Sequence, residues 1–550
     1  MDAGHSTLRE TALGRDRAVS PSAAVVAGRG LGRQVPERFA LVVSRAAAVG
    51  PTAQAAGGTV SEQLRMFRHG MVYAAARLAP KAAGFLMLPI YAIYLGKDGY
   101  GALSILDTLG AISSILLAQG QAQAQFRLRF KYEGFERRRL QTSIFWYTLG
   151  SMLLGLGVAA IVGPWLSARY LQGISFFPLV MLAVTTACAR SLTSQYTRNL
   201  QAQQKVGAYF VQTVGQTALA TVGAIVLVAG VRMGVLGRVV ADFVAVLLFT
   251  LVAALRLRPM FPWQGSWAMV RQSVAFGVPL MWHELANWVN SLSDRLLVNY
   301  YVGLAAAGVY SMGYKLASVV ELVGFSLNTA LSAQMYITLK DYATAAPPAR
   351  LEMTSAVQSL ARSQLVQVAL LALVVGSCSK ELLVLMSRGE FAESAEVVPL
   401  AVAGTLLAAA YRPFNGSLAY FDRTRVLPLF SLAAASSNVG LNVLLIPKFG
   451  IHGAALATLL SNTVSFTLGY FVSRRVFQVY SSGLLSRVFV VVGVGVGLMA
   501  LFDRVGLGWP LALGLKLVVL AGGAAMLLKM GGFKLRGLWR RLFGGSRSRP

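Results

Sequence analysis

Arg77 and Lys81 stand four residues apart, hence on one face of any helix that carries them, and Pro80 between them can kink it. Two cations on one face repel each other unless something anionic visits. A diphosphate meets that need, because guanidinium offers paired donors and ammonium a point charge. In the alternative reading both snorkel from a helix end to lipid headgroups. A second constellation follows Pro279, where His283/Glu284, Asn287, Asn290/Ser291 and Asp294/Arg295 recur at helical spacing. Ser311, Lys315, Ser318, Glu321 and Asn328 continue it. A polar stripe of this kind lines a cavity, or else it closes on itself in structural salt bridges such as Asp294–Lys315 and Arg295–Glu321. Arg295, Lys315, Asn287 and Arg412 thus join Arg77 and Lys81 as candidate ligand-binding residues. Glu284, Asp294, Glu321 and Asp107 are candidates for ion coupling, since a carboxylate in a low-dielectric cavity exchanges a proton more readily near neutral pH.

These side chains matter because of where they lie. The 550 residues are 56% apolar and only 13% charged, with a mean hydropathy of +0.60. That excludes a set of soluble domains and predicts an all-α polytopic membrane protein. Fourteen apolar segments are long enough to span as helices, at about 20 residues each. They centre on 71–95, 101–125, 142–164, 174–196, 208–231, 235–255, 274–300, 304–335, 364–386, 397–420, 425–446, 450–473, 485–503 and 508–529. Twelve ionisable residues fall inside them: the cations and carboxylates named above plus Arg190, Asp242 and Lys516. Each costs about 3 kcal/mol at a bilayer centre, so most must face water or one another. Arg190 and Lys516 are expected to snorkel.

The formal charge of +29, from 50 basic and 21 acidic residues, does not indicate nucleic acid. The basic residues gather at alternate loops and in the C-terminal tail, a positive-inside pattern that places both termini in the cytosol. Residues 1–65 read as a disordered cytosolic tail or an over-extended start. Residues 531–550 read as a basic amphipathic segment on anionic lipid. Two cysteines and four scattered histidines predict no metal site and no disulfide framework. No cofactor is expected beyond a proton or sodium gradient as driving force.

An internal repeat organises the spans. Tyr94-Leu95-Gly96, Gly101 and Ser104 reappear as Tyr301-Val302-Gly303, Gly308 and Ser311. Gly234, Gly237 and Ala241 reappear as Gly450, Gly453 and Ala457, with Asn199 matching Asn415 in that register. Asp107 and Lys315 fall one residue apart in the first register. The expected domains are a first six-helix lobe over 66–258, a second over 259–475, and two extra transmembrane helices over 476–530.

Three segments carry a resemblance: LPIYAIYLGKDGYGALSILD within Met71–Asp107, Ser291–Ala317, and LNVLLIPKFGIHGAALATLLS at Leu441–Ser461. They resemble the polysaccharide (O-antigen type) flippase family, whose superfamily also holds multidrug extruders and lipid II flippases. The resemblance implies two lobes around a cavity with alternating access. It further implies translocation of an undecaprenyl-diphosphate-linked oligosaccharide across the bacterial inner membrane, with a polysaccharide polymerase and chain-length machinery as partners. Ala333-Gln334-Met335 lacks a proline expected near the end of the eighth span. A multidrug/cation antiporter and a lipid II flippase are the competing readings. An enzyme is disfavoured because no sizeable outer loop exists to hold catalytic residues, and an ATP-driven pump because no GxxxxGK[ST] loop occurs.

Overall fold

Apolar runs of this length leave the backbone no partner in lipid but itself, so they fold as helices. The computed structural model describes residues 60–257, 265–481, 483–505 and 509–532, and these contain helices and no strand. Of the tail expected over 1–65, residues 1–59 lie outside them and residues 60–65 already belong to a helix; of the basic segment expected over 531–550, the part beyond 532 lies outside them. From Arg68 onward the chain forms one compact unit. The helices are α1 (Val60–Leu86), α2 (Leu88–Ala118), α3 (Gln121–Leu128) and α4 (Gly134–Tyr170). Next come α5 (Phe176–Ala202) and α6 (Val206–Gly230), each including π-helical turns. Then follow α7 (Gly234–Leu257), α8 (Trp267–Tyr301), α9 (Leu304–Thr338), α10 (Pro347–Ser377) and α11 (Ser379–Ser387). The chain ends through α12 (Val398–Tyr420), α13 (Leu427–Val476), α14 (Leu484–Arg504) and α15 (Trp509–Met530).

Ten helical segments are long and apolar enough to cross a membrane. Fourteen passes follow among the described residues. Gly96, at φ 66°, breaks α2 so that its first turns complete the pass begun by α1. Gly450, at φ 55°, divides the 50-residue α13 into two. The remaining two passes are α8 and α12, similar in length but interrupted by charged and amide side chains. Helix α9 runs unbroken through Ala333-Gln334-Met335 to Thr338, so the missing proline marks no helix end there.

The repeated glycines sit where the backbone demands them. Gly96 and its counterpart Gly303 both have positive φ, as do Gly234 and its counterpart Gly450, and all four turn the chain between passes. Gly101 and Gly308 serve close approach instead. A Cβ on Gly101 would stand 2.1 Å from the Leu304 carbonyl oxygen, and one on Gly308 would stand 2.1 Å from that of Lys97. The two contacts are copies of each other in the repeat register. One turn further on, the Ser104 and Ser311 hydroxyls meet at 2.6 Å. Helices α2 and α9 therefore cross on the pseudo-two-fold axis relating the two six-helix lobes. A second close crossing joins the other end of α2 to α8, where a Cβ on Gly277 would lie 2.3 Å from the Gln119 carbonyl. About 28 Å of helix separates the two crossings.

The last two helices pack against α10. Lys516 of α15 does not snorkel: it is 3% exposed, and its Nζ lies 2.6 Å from Glu381 of α11 and 2.8 Å from Asp503 of α14. The extra pair is thus held to the second lobe by charge as well as by apolar packing, with Val496 against Gly376 and Leu373 against Gly495 and Gly523.

Candidate functional site

Between the two crossings a cavity of about 430 Å³ opens among α1, α2, α5, α6, α7, α8 and α9. Its charged lining consists of Asp107, Arg190, Arg238, Asp242, Arg295 and Lys315. Four cations face two carboxylates, so the wall carries an excess of two positive charges. Arg190 Nη2 donates to both oxygens of Asp242, at 2.7 and 2.6 Å. Arg238, one turn before Asp242 on the same face of α7, approaches it at 3.6 Å. One carboxylate therefore holds two guanidiniums in place. Lys315 reaches across from α9 to α1, its Nζ 3.6 Å from where a Cβ on Gly84 would be. Asp107, Arg295, Lys81 and Arg238 all lie within its electrostatic reach. The Arg295 Nε is buried and has no partner among the described residues. Arg295 thus brings to the cavity lining a guanidinium whose hydrogen bonding is incomplete.

The sequence candidates divide on this geometry. Arg295, Lys315 and Asp107 line the cavity together. Lys81 and Arg412 are not among its lining and share the Phe325 ring of α9, at 6.0 and 5.3 Å from its centroid. Arg412 pairs with Glu321 at 2.6 Å, so Glu321 takes that partner and not the alternative Arg295. Arg77 is exposed on α1 and is not among the cavity-lining residues. Asn287 contacts His283 at 3.2 Å, and Glu284 accepts from Gln123 of α3 at 2.9 Å. Both lie away from the cavity.

Asp294 is 2% exposed and does not pair with Lys315. Its Oδ2 accepts from the Tyr310 hydroxyl and lies 3.4 Å from the Thr458 hydroxyl. Its Oδ1 accepts from the Arg295 backbone N–H at 2.9 Å. Asn438 donates to Thr458 at 3.4 Å and to Ser461 at 3.3 Å, and Asn442 donates to Asn438 at 2.8 Å. The second lobe thus buries one carboxylate in a neutral polar network. In the repeat register Thr458 stands where the first lobe has Asp242. The position that holds a paired carboxylate at the cavity in the first lobe is thus a neutral hydroxyl packed against a buried carboxylate in the second.

Sequence reasoning missed three members of the site. Arg190 is the cation expected to snorkel, and neither Arg238 nor Asp242 is among the sequence candidates. The signal was present in part, since Arg238 and Asp242 are an i, i+4 ion pair. Their meeting with Arg190, 52 residues from Asp242, is a tertiary contact that no local pattern carries.

Comparison with known proteins places this architecture. Among solved structures, the lipid II flippase MurJ in its inward closed conformation superposes with a TM-score of 0.65 at 11% identity, over 86% of this chain and 99% of that one. An inward-facing multidrug resistance MATE family transporter of the MOP superfamily gives 0.60 at 12% identity, over 72% and 94%. The fold is therefore the one these membrane transporters share. Residues 67–332 match the family described as polysaccharide biosynthesis protein, and two of the three resembling segments lie within that match. The Lsg locus putative protein 1 of Haemophilus influenzae is 24% identical over 298 residues, 50% of this chain and 67% of the relative. The chain is a multi-pass membrane protein similar to that polysaccharide biosynthesis family.

Proposed function

We propose that this protein is a flippase that carries an undecaprenyl-diphosphate-linked oligosaccharide across the bacterial inner membrane for surface polysaccharide assembly. The single observation that carries the reading is the cavity wall with two more cations than carboxylates. A diphosphate headgroup brings matching negative charge, and Arg295 and Lys315 are its holding residues. The two close crossings of α2 act as gates at opposite ends of the cavity, parting in alternation. The positive-inside pattern of the sequence supports a cytosolic location for both termini.

Asp294 is the coupling carboxylate in this reading, loaded by a proton or a sodium ion within the buried network of Tyr310, Thr458 and Asn438. The fold match to a lipid II flippase favours a second reading, in which the same headgroup carries a peptidoglycan precursor. A cation exporter fits less well, because the cavity would repel its cargo.

The test is deletion and complementation in the source cell. Arg295→Gln with Lys315→Gln is expected to abolish surface glycan and to accumulate lipid-linked oligosaccharide, with protein abundance in the membrane unchanged. Normal surface glycan in that double variant would refute the diphosphate site. Rescue of a lipid II flippase deletion by the unsubstituted chain would favour the second reading.

A further inference from the structure

Beside the cations, the α6 side of the cavity carries no formal charge. On α6 the residues Gln212, Thr213, Gln216, Thr217 and Thr221 line it. Their steps of one, three and four residues put them on a single face, over about 13 Å of helix axis. The opposite face presents Val211, Leu219 and Val222, which are exposed in the isolated chain and suited to lipid. Ser194 and Thr197 of α5 continue the wall, one and two turns beyond Arg190. Part of the stripe, Val211–Gly215, is a π-helical turn, a local widening often found where a helix serves a ligand.

Four of these hydroxyls share a common state. Ser194 donates to the Ser191 carbonyl at 2.6 Å and Thr197 to the Ser194 carbonyl at 2.9 Å. Thr217 and Thr221 donate to the carbonyls of Thr213 and Thr217, each at 2.8 Å. Each of these four hydroxyls has spent its hydrogen on its own helix, so what remains for the cavity is acceptor lone pairs. A wall of neutral acceptors, with the Gln216 amide adding donors, matches a ligand rich in hydroxyl donors and lacking charge. We infer that this α5–α6 wall binds the carbohydrate of the substrate, while the cations beside it bind the diphosphate. The inference rests on the flippase reading above and adds to it a separate site for the sugar.

The test uses the full chain in lipid nanodiscs and two probes: undecaprenyl diphosphate, and the same lipid bearing one N-acetylglucosamine. The unsubstituted protein is expected to bind the glycosylated probe more tightly. A triple variant, Thr197→Val with Gln216→Leu and Thr217→Val, should lose about tenfold or more in affinity for the glycosylated probe. Its affinity for the bare diphosphate should stay unchanged, which also shows that the cavity is intact. Arg295→Gln with Lys315→Gln should weaken both. Equal discrimination by the triple variant and the unsubstituted protein, absence of discrimination in the latter, or equal loss of both probes in the triple variant would overturn the sugar wall. If the double variant still lost both probes in those cases, the flippase reading would stand. Binding of neither probe by the unsubstituted chain would overturn both.

Discussion

Arg77 and Lys81 show how far spacing alone can carry a side chain. Both sit on one face as expected, yet only Lys81 approaches the second lobe, through Phe325, and Arg77 points elsewhere. Arg77→Ala is therefore expected to leave glycan export within about twofold of normal, the small effect typical of an exposed residue away from a built site. Lys315→Gln should lose most of it, and quantitative glycan staining of matched membranes separates the two. Asp294 makes a sharper case. Asp294→Asn keeps the shape and much of the hydrogen bonding but removes the charge. Transport in proteoliposomes should then cease to respond to an imposed proton or sodium gradient while substrate binding persists. An unaltered gradient response would remove Asp294 from coupling. The individual charges were legible in the sequence, because an ionisable group in a span must be compensated. The identity of each compensating partner was not, since Glu321 selects Arg412 and Asp242 selects Arg190 across distances in sequence that no periodicity encodes.

At the scale of the elements, the passes were legible because hydropathy and length are local properties. The turns were legible too, because a positive φ or a backbone crossing admits little besides glycine. Gly308→Ala tests the crossing: the new methyl must displace the Lys97 carbonyl, costing about 1–3 kcal/mol as an overpacked contact, read as a lowered melting temperature in detergent. Ser104→Cys with Ser311→Cys, in a chain whose native Cys188 and Cys378 are replaced by alanine, tests whether the crossing must part. Oxidation should link α2 to α9 and stop transport, and a reductant should restore it. Transport that continues through the cross-link would mean the gate lies elsewhere. The helix pair at the C-terminal end offers a contrast. Lys516→Met leaves Glu381 without its cation and Asp503 with only the more distant Lys380 at 3.7 Å, and a loss of about 2 kcal/mol is expected from the broken charge-assisted bonds. Thermal unfolding should report it, with glycan export unchanged at growth temperature.

Across the whole molecule, two lobes built from one repeat have diverged in what they enclose. The first lines the cavity with two guanidiniums balanced by two carboxylates, while the second lends it the unbalanced cations Arg295 and Lys315 and packs the rest of its interior around the buried Asp294. The repeat was visible in the sequence through its glycines and serine, which serve backbone geometry and so remain alike in both copies. The division of labour between the lobes was not, because it depends on which side chains fill the interior.

The crossing of α2 and α9 carries one more consequence. A contact in which residue and counterpart exchange the same glycine and the same serine is an isologous interface folded into a single chain. A half-length protein holding only one repeat would have to meet a second copy of itself through that surface, each serine facing its own image. Ser104 and Ser311 thus mark the seam at which such a half-length dimer would join.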